Sequence, residues 1–306
     1  MCIRDRNPHV RLSNIGLSVY NDFNEVVLLT NVHRQSVHKN PGDDKEKLAY
    51  NERSDRYWAI VHRLRDAELS YEDYLELCKR KHCFLTASEK AFFSDAPVLM
   101  DFRRITDANP EDNCDFYNQQ RLRCAAKETK RPVIAFDAVH ENCTQGAGLA
   151  LDDDHFMNLP KRLELCVGAP VLLTHNLAPQ HGLMNGSQGT IEEIQYPAGG
   201  HPNHERPDMC MPCSIIINFP DYVGPAFFDD ASHRKFVPLV PRTLYSNEDH
   251  GAGRTQFPLT LAWALTPWKA QGMTLAKVRV AVSEAASTLG VLITALTRVR
   301  HPDTLL

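Results

Sequence analysis

The segment Phe257-Pro-Leu-Thr-Leu-Ala-Trp-Ala-Leu-Thr-Pro-Trp-Lys-Ala-Gln-Gly-Met-Thr274 decides the fold. Residues 259–265 are apolar except for Thr260, a composition typical of a strand buried on both faces of a parallel sheet. Thr266 and Pro267 end this run. They predict a helix start, because threonine caps free amides and proline already has the backbone angle of the first helical position. The sequence therefore predicts a strand that passes directly into a helix.

A strand that leads into a helix is a candidate phosphate site. The free N–H groups and the positive dipole end at a helix start both attract anions. Lys269 adds a positive charge, Gln271 a polar side chain, and Gly272 a backbone that a ligand can approach closely. The alternative is an ordinary buried strand and helix, which are common in α/β folds.

Two motifs near the end of the chain resemble those of one helicase family. Residues 257–274 resemble motif V of superfamily 1 DNA helicases of the Pif-one (petite integration frequency) and RecD type, and residues 292–300, Leu-Ile-Thr-Ala-Leu-Thr-Arg-Val-Arg, resemble motif VI. The resemblance implies contacts to DNA from Thr266, Trp268 and Lys269. It further implies nucleotide contacts from Gln271 and Gly272 and a catalytic role for Arg298.

A third motif lies near the start of the chain. Residues 25–30, Glu-Val-Val-Leu-Leu-Thr, predict a buried strand, and the run VVLLTNVHRQ that ends at Gln35 resembles motif IV of the same family. The resemblance implies that Arg34 reaches the terminal phosphate of a nucleotide and that Gln35 lies at the nucleotide site. Without it, an arginine after a strand is ordinarily a surface residue.

The order of elements predicts an α/β fold with an insertion. Residues 57–78 show helical spacing and residues 96–100 and 133–139 predict strands, as in one RecA-like parallel sheet. From residue 163 strands follow one another, and this part resembles the SH3-like barrel inserted in this family. We therefore expect a RecA-like second motor domain (the second domain of a P-loop helicase) in two parts, 7–159 and 257–306, around a small SH3-like β-barrel at 160–256. Residues 1–6 look like a translated sequencing adapter.

Composition restricts the class of protein. The 306 residues carry a net charge of −4, so nucleic-acid binding requires a local basic patch, and residues 257–306 hold five basic against two acidic residues. No stretch approaches the length of a membrane span. Nine cysteines at irregular spacing, without a secretory leader, predict free thiols and an intracellular protein.

A rival site lies inside the expected barrel. His201, His204, Cys210 and Cys213 have the types and spacing that tetrahedral zinc accepts. Against zinc, the family has no obligate metal there, the loop is rich in proline, and Cys213 begins a strand in which its side chain can simply be buried. A single Cys-x-x-Cys pair is also a weaker signal than two such pairs.

The resemblance implies that this chain contains only one of the two motor domains of a helicase. The sequence has no Gly-Lys dipeptide and no Asp-Glu pair, so it lacks the phosphate loop and the acidic pair of a first motor domain. We expect the C-terminal half of an ATP-dependent 5′–3′ DNA helicase, inactive alone, that uses ATP and Mg²⁺ on single-stranded and forked DNA, as a monomer and away from membranes, in DNA repair or recombination. The alternative is a non-catalytic nucleic-acid- or protein-binding module that retains the fold.

Two side chains have a predicted orientation. Trp268 can stack on a base or pack against the sheet, and packing is slightly favoured. Arg298 is expected in the last helix, where Ile293 and Leu296 can face the core and leave the arginine projecting toward a first motor domain.

Overall fold

The computed structural model describes residues 19, 21–25, 37–38, 42–103, 111, 113–198, 211–246, 251–281 and 289–306. The chain divides into two compact units, 1–35 and 36–306. In the first, the amide of Asp22 donates to the carbonyl of Val19 (3.2 Å). Arg34 and Gln35 lie outside the described residues. None of the described helices is both long and apolar enough to span a membrane.

The helices of the second unit begin at capping side chains. The carboxylate of Asp44 accepts from the amides of Glu46 and Lys47, and Ser70 forms a capping box with Asp73. The α-helices of the described chain are α1 (Lys45–Arg65), α2 (Tyr71–Cys78), α3 (Ala87–Phe92), α4 (Cys114–Thr129), α5 (Gln145–Ala150), α6 (Pro267–Ala270) and α7 (Leu289–Leu296).

The strands form parallel and antiparallel sheets, so the fold is mixed α/β. The strands are β1 (Val98–Leu99), β2 (Ile134–Asp137), β3 (Val139–Glu141), β4 (Arg162–Leu165), β5 (Pro170–Leu173), β6 (Gln188–Gln195), β7 (Ser214–Asn218), β8 (Phe236–Leu239), β9 (Arg242–Tyr245), β10 (Gly253–Gln256), β11 (Leu259–Leu261), β12 (Ala264–Leu265) and β13 (Arg279–Val280). The parallel sheet has the order β12-β1-β13. The antiparallel sheets have the orders β11-β5-β6-β7-β8, β3-β10-β9 and β2-β4.

The apolar run at 259–265 is two strands rather than the predicted one. β11 pairs antiparallel with β5, whereas β12 pairs parallel with β1. Between them, the amide of Ala262 donates to Pro170 and the carbonyl of Trp263 accepts from Val98. The chain therefore passes straight from one sheet into the other, and burial in two different sheets explains the continuous hydrophobicity.

The prediction that residues 133–139 belong to the parallel sheet is wrong. β2 pairs antiparallel with β4, across the predicted boundary at residues 159 and 160. Ile134 and Phe136 are buried and alternate with half-buried neighbours, so one face of this strand lies in the core. That core also holds Leu163 and Leu165 of β4 and extends through the five-stranded sheet.

Arg254 of β10 is the largest fully buried side chain among the residues that the structure describes. Its Nη1 donates to Asp153 Oδ1 (2.9 Å) and to the carbonyl of Leu159 (2.9 Å). Its Nη2 donates to the carbonyls of Gly148 (3.0 Å) and Leu151 (2.8 Å). All its N–H groups are used, because Nε donates to His140 Nε2 (3.1 Å).

The neighbours of Arg254 are shaped to receive it. The guanidinium carbon lies 4.2 Å from the centroid of the Phe156 ring. Burial lowers the pKa of His140, which favours the neutral ring that can accept from Arg254. A Cβ on Gly148 would meet the His140 ring at 2.2 Å, so only glycine allows this approach.

We predict that Arg254→Ala lowers the free energy of unfolding by about 3–5 kcal/mol, because it removes the donor of several buried carbonyls and one of the hydrogen-bond donors of the buried Asp153 carboxylate. Urea denaturation measures the loss, and Arg123→Ala, at an exposed position of α4, is the matched control. Equal midpoints for both variants would mean that the network contributes no stability.

Candidate nucleic-acid interface

The predicted helix start at Thr266 is confirmed. Thr266 is buried and caps α6, and its Oγ1 accepts from the amide of Lys269 (3.5 Å) with Pro267 in the first turn. The helix ends at Ala270, after a single turn. So short a helix has a small dipole, and positive side chains must provide most of the attraction for a phosphate.

The strand before this helix is held by Asn118 of α4. The Asn118 Oδ1 accepts from the amide of Ala264 (2.8 Å), and its Nδ2 donates to the carbonyl of the same residue (3.0 Å). The flanking carbonyls of Trp263 and Leu265 bond to β1 on the other side. On the edge of β12 away from β1, the Asn118 side chain therefore makes the hydrogen bonds that a neighbouring strand would make. These bonds hold the strand in place just before α6 begins.

Arg298 holds the other end of the segment. This side chain is buried, and its Nε donates to the carbonyl of Thr294 (2.7 Å) and its Nη1 to that of Ala270 (3.3 Å). The expectation that Arg298 lies in the last helix and projects toward a first motor domain is wrong, because α7 ends at Leu296 and the buried guanidinium bonds to this chain's own carbonyls. The guanidinium instead donates hydrogen bonds to carbonyls in the last turns of α6 and α7, which have no partner within the helix.

Trp268 and the two residues that follow α6 lie at the surface. Trp268 is 60% exposed, so the expectation that it packs against the sheet is wrong. Gln271 and Gly272 are also exposed. Gly272 has φ +85°, a conformation that side chains with a Cβ rarely adopt, so glycine is required for the turn after α6.

Lys269 is half-buried beside Arg103. Within the part of the chain that the structure describes, its ammonium has no hydrogen-bond or ion-pair partner. Burial, and then the charge of Arg103, lower its pKa to about 8, while Asp115 and Cys114 act in the opposite direction. A half-buried cation without a hydrogen-bonded partner can bind a phosphate, and the exposed Trp268 ring can stack on a base.

Sequence reasoning missed both anchoring roles. Asn118 lies inside α4, and a polar side chain within a helix is a usable signal for a buried hydrogen bond. The contact from Arg298 to Ala270 joins residues far apart in sequence and leaves no local sequence pattern.

The zinc prediction is untested, because His201, His204 and Cys210 lie outside the described residues. The exposed Cys213 donates its thiol to the carbonyl of Gln195 (3.4 Å).

Comparison with known proteins shows which helicases this chain is similar to. Residues 155–194 match the family model "DNA helicase Pif1, 2B domain". A relative from Trypanosoma brucei brucei, "ATP-dependent DNA helicase PIF6", is 31% identical over 151 residues, which are 49% of this chain and 17% of the relative. "ATP-dependent DNA helicase PIF1" from Danio rerio is 32% identical over 121 residues, which are 40% of this chain and 15% of the relative. The matched segments are thus similar to parts of Pif1-type helicases.

Solved structures show that the fold is that of Pif1 helicases. The Pif1 helicase from Candida albicans matches with a TM-score of 0.57 and 21% identity, over 82% of this chain and 52% of that one. The Bacteroides Pif1 helicase in complex with ADP-AlF3 and ssDNA matches with a TM-score of 0.53 and 19% identity, over 92% and 51%. The chain thus spans about half the length of these Pif1 structures.

We predict that affinity for oligothymidylate falls roughly three- to tenfold from about pH 7 to about pH 9, because Lys269 is charged below its pKa and neutral above it. Fluorescence anisotropy at constant ionic strength measures the affinity.

Lys269→Arg is the matched control, since a guanidinium stays charged throughout this range and should flatten the profile. An equally steep profile for Lys269→Arg would remove Lys269 from the nucleic-acid interface.

Proposed function

We propose that this chain is the second motor half of an ATP-dependent DNA helicase. The observation that carries the proposal is the turn at α6, where Asn118 and Arg298 hold the backbone while Trp268 and Lys269 stay available to a ligand. A backbone anchored at both ends holds these two side chains in position before DNA binds, which lowers the entropic cost of binding.

The proposed partner is a single DNA strand. The Lys269 ammonium would neutralise a phosphate and the exposed Trp268 ring would stack on a base, a combination that binds without sequence preference. The solved complex of a Bacteroides Pif1 with ssDNA, and another in which two coordinating Pif1 helicases unwind forked dsDNA, support single-stranded and forked DNA as ligands. The Lys269 contact would be salt-dependent.

The proposed nucleotide is ATP with Mg²⁺, held chiefly by a first motor half. Bound ATP would supply the phosphoryl group whose hydrolysis drives movement. The exposed Gln271 and Gly272 fit a site at the edge of this chain, because an amide and a Cβ-free backbone can both lie close to a ligand. Arg298 could reach the nucleotide only if its guanidinium released at least one of the carbonyls to which it is now hydrogen-bonded. Arg34 and Gln35 keep the roles that motif IV implies.

The same proposal covers the domain architecture, the direction of movement, the compartment and the oligomeric state. We infer that the five-stranded antiparallel sheet is part of an SH3-like barrel inserted into a RecA-like domain, since β5 and β6 lie in the segment that matches the 2B family model. The parent protein would move 5′ to 3′ as an intracellular monomer in DNA repair or recombination. Alone, the chain would have no ATPase activity. The rival function is a non-catalytic binding module.

We predict that joining this chain to a first motor half with a phosphate-binding loop creates a DNA-stimulated ATPase. In that enzyme, Arg298→Ala or Arg34→Ala should lower turnover by at least about a hundredfold, because a charge on the terminal phosphate acts in the transition state. Lysine should rescue poorly, since it lacks the planar fork. Steady-state ATP hydrolysis with saturating oligothymidylate measures the effect.

Arg300→Ala is the matched control, because Arg300 is exposed and lies two residues from Arg298. Circular dichroism should show that all variants are folded. Wild-type turnover in both alanine variants would favour the binding-module function.

A further inference from the structure

The tautomer of His140 in β3 follows from its partners. Gln145 Nε2 donates to the carbonyl of Ala138 (2.7 Å), which identifies the other atom of this amide as the oxygen. That oxygen accepts from the amide of His140 (3.2 Å) and lies 3.3 Å from His140 Nδ1. An amide oxygen can only accept, so Nδ1 carries the ring proton. The other nitrogen, Nε2, is therefore the acceptor of the hydrogen bond from Arg254 Nε (3.1 Å).

This hydrogen bond requires a neutral imidazole. Arg254 is fully buried and lies directly opposite His140 in the pairing of β10 with β3. A proton on Nε2 would turn the acceptor into a donor that faces another donor, and it would place a second cation beside a buried guanidinium. Asp153, bonded to Arg254 Nη1 (2.9 Å), and Asp152 stabilise the charge of the arginine. Their carboxylates are thus already engaged with the first cation.

The surroundings of the ring keep it neutral near pH 7. Burial is the largest cause that lowers the pKa of His140, and the charge of Arg254 lowers it further. The hydrogen bond to Gln145 and the carboxylate of Asp137 in β2 act in the opposite direction. Asp137 is itself paired with Arg162 (3.2 Å). Helix α5 (Gln145–Ala150), which packs against the same ring, brings no titratable side chain.

The same contacts hold α5 against the sheet. Arg254 Nη2 donates to the carbonyls of Gly148 (3.0 Å) and Leu151 (2.8 Å), and Gln145 begins the helix. This helix has 6 residues, and two of them are glycine. So short a helix with two glycines has little stability of its own, so its position depends on the contacts with β3 and β10.

We propose that His140 and Arg254 form an acid-sensitive latch, in which protonation of His140 at Nε2 breaks the bond to Arg254 and releases residues 145–151 from β3 and β10. The closed latch binds this proton less readily than the open one. It is therefore stable at neutral and higher pH and is weakened as the pH falls below the ordinary histidine value of about 6.5. The latch does not rest on the proposed function, since it involves neither DNA nor a nucleotide.

Amide hydrogen exchange of the full chain, corrected for the intrinsic effect of pH on exchange, tests the release. We expect the protection of the α5 amides to fall roughly three- to tenfold between about pH 7.5 and about pH 5.5, the range that one histidine proton allows. The amides of β7, inside the five-stranded sheet, report on global unfolding and should change less.

A substitution at the ring nitrogen separates this proton from others. His140→Gln removes the titration and can place an amide oxygen where Nε2 accepts from Arg254, so the protection of α5 should no longer depend on pH in this range. His82→Gln, at an exposed histidine, is the matched control and should keep the wild-type response. Long-range proton–nitrogen NMR spectra of the unsubstituted chain report the tautomer directly, and we expect the proton on Nδ1.

Three results would overturn the latch. The first is a proton on Nε2 of His140 at neutral pH. The second is α5 protection that does not change with pH in the wild-type chain, or that changes equally in His140→Gln and His82→Gln. The third is an equal loss of protection in α5 and β7, because it would mean that acid unfolds the chain as a whole. Each result leaves the proposed function untouched.

Discussion

The segment from Ala264 to Ala270 is held at both ends by side chains that bond to its backbone. Asn118 completes the free edge of β12 at Ala264, and the Arg298 guanidinium bonds the carbonyl of Ala270. Buried hydrogen bonds of this kind are costly to break, because each released group would lie in a dry interior without a partner. The exposed position of Trp268 and the half-buried position of Lys269 both follow from this constraint.

The backbone connects the antiparallel sheets directly to this segment, which is a second constraint on its position. The chain runs from β10, anchored by Arg254, through β11 in the five-stranded sheet and then into β12 of the parallel sheet. One apolar core includes Ile134 and Phe136 of β2 together with residues of β4 to β8 and of β11. Only two residues separate β11 from β12. A displacement of the antiparallel sheets would therefore be transmitted directly along the backbone to the α6 turn.

Local chemistry made part of this arrangement predictable. The helix start at Thr266-Pro267 follows from a side chain that bonds to a nearby amide, and it occurs in the structure. Long-range contacts were not predictable. The strand run at 259–265 divides between two sheets because of partners at Pro170 and Val98, and Arg298 turns inward because the last helix ends before it. Hydrophobicity alone indicates burial and does not identify the partner.

Amide hydrogen exchange across Ala264–Gly272, with and without oligothymidylate, tests the central claim most directly. The account predicts slow exchange at Ala264 in the free protein, further slowing at residues 266–272 when DNA binds, and loss of both effects in Asn118→Ala. Unchanged exchange across this segment under conditions where DNA is bound would contradict the assignment of the α6 turn as a nucleic-acid interface. Equal protection of Ala264 in Asn118→Ala would contradict the anchoring role of Asn118.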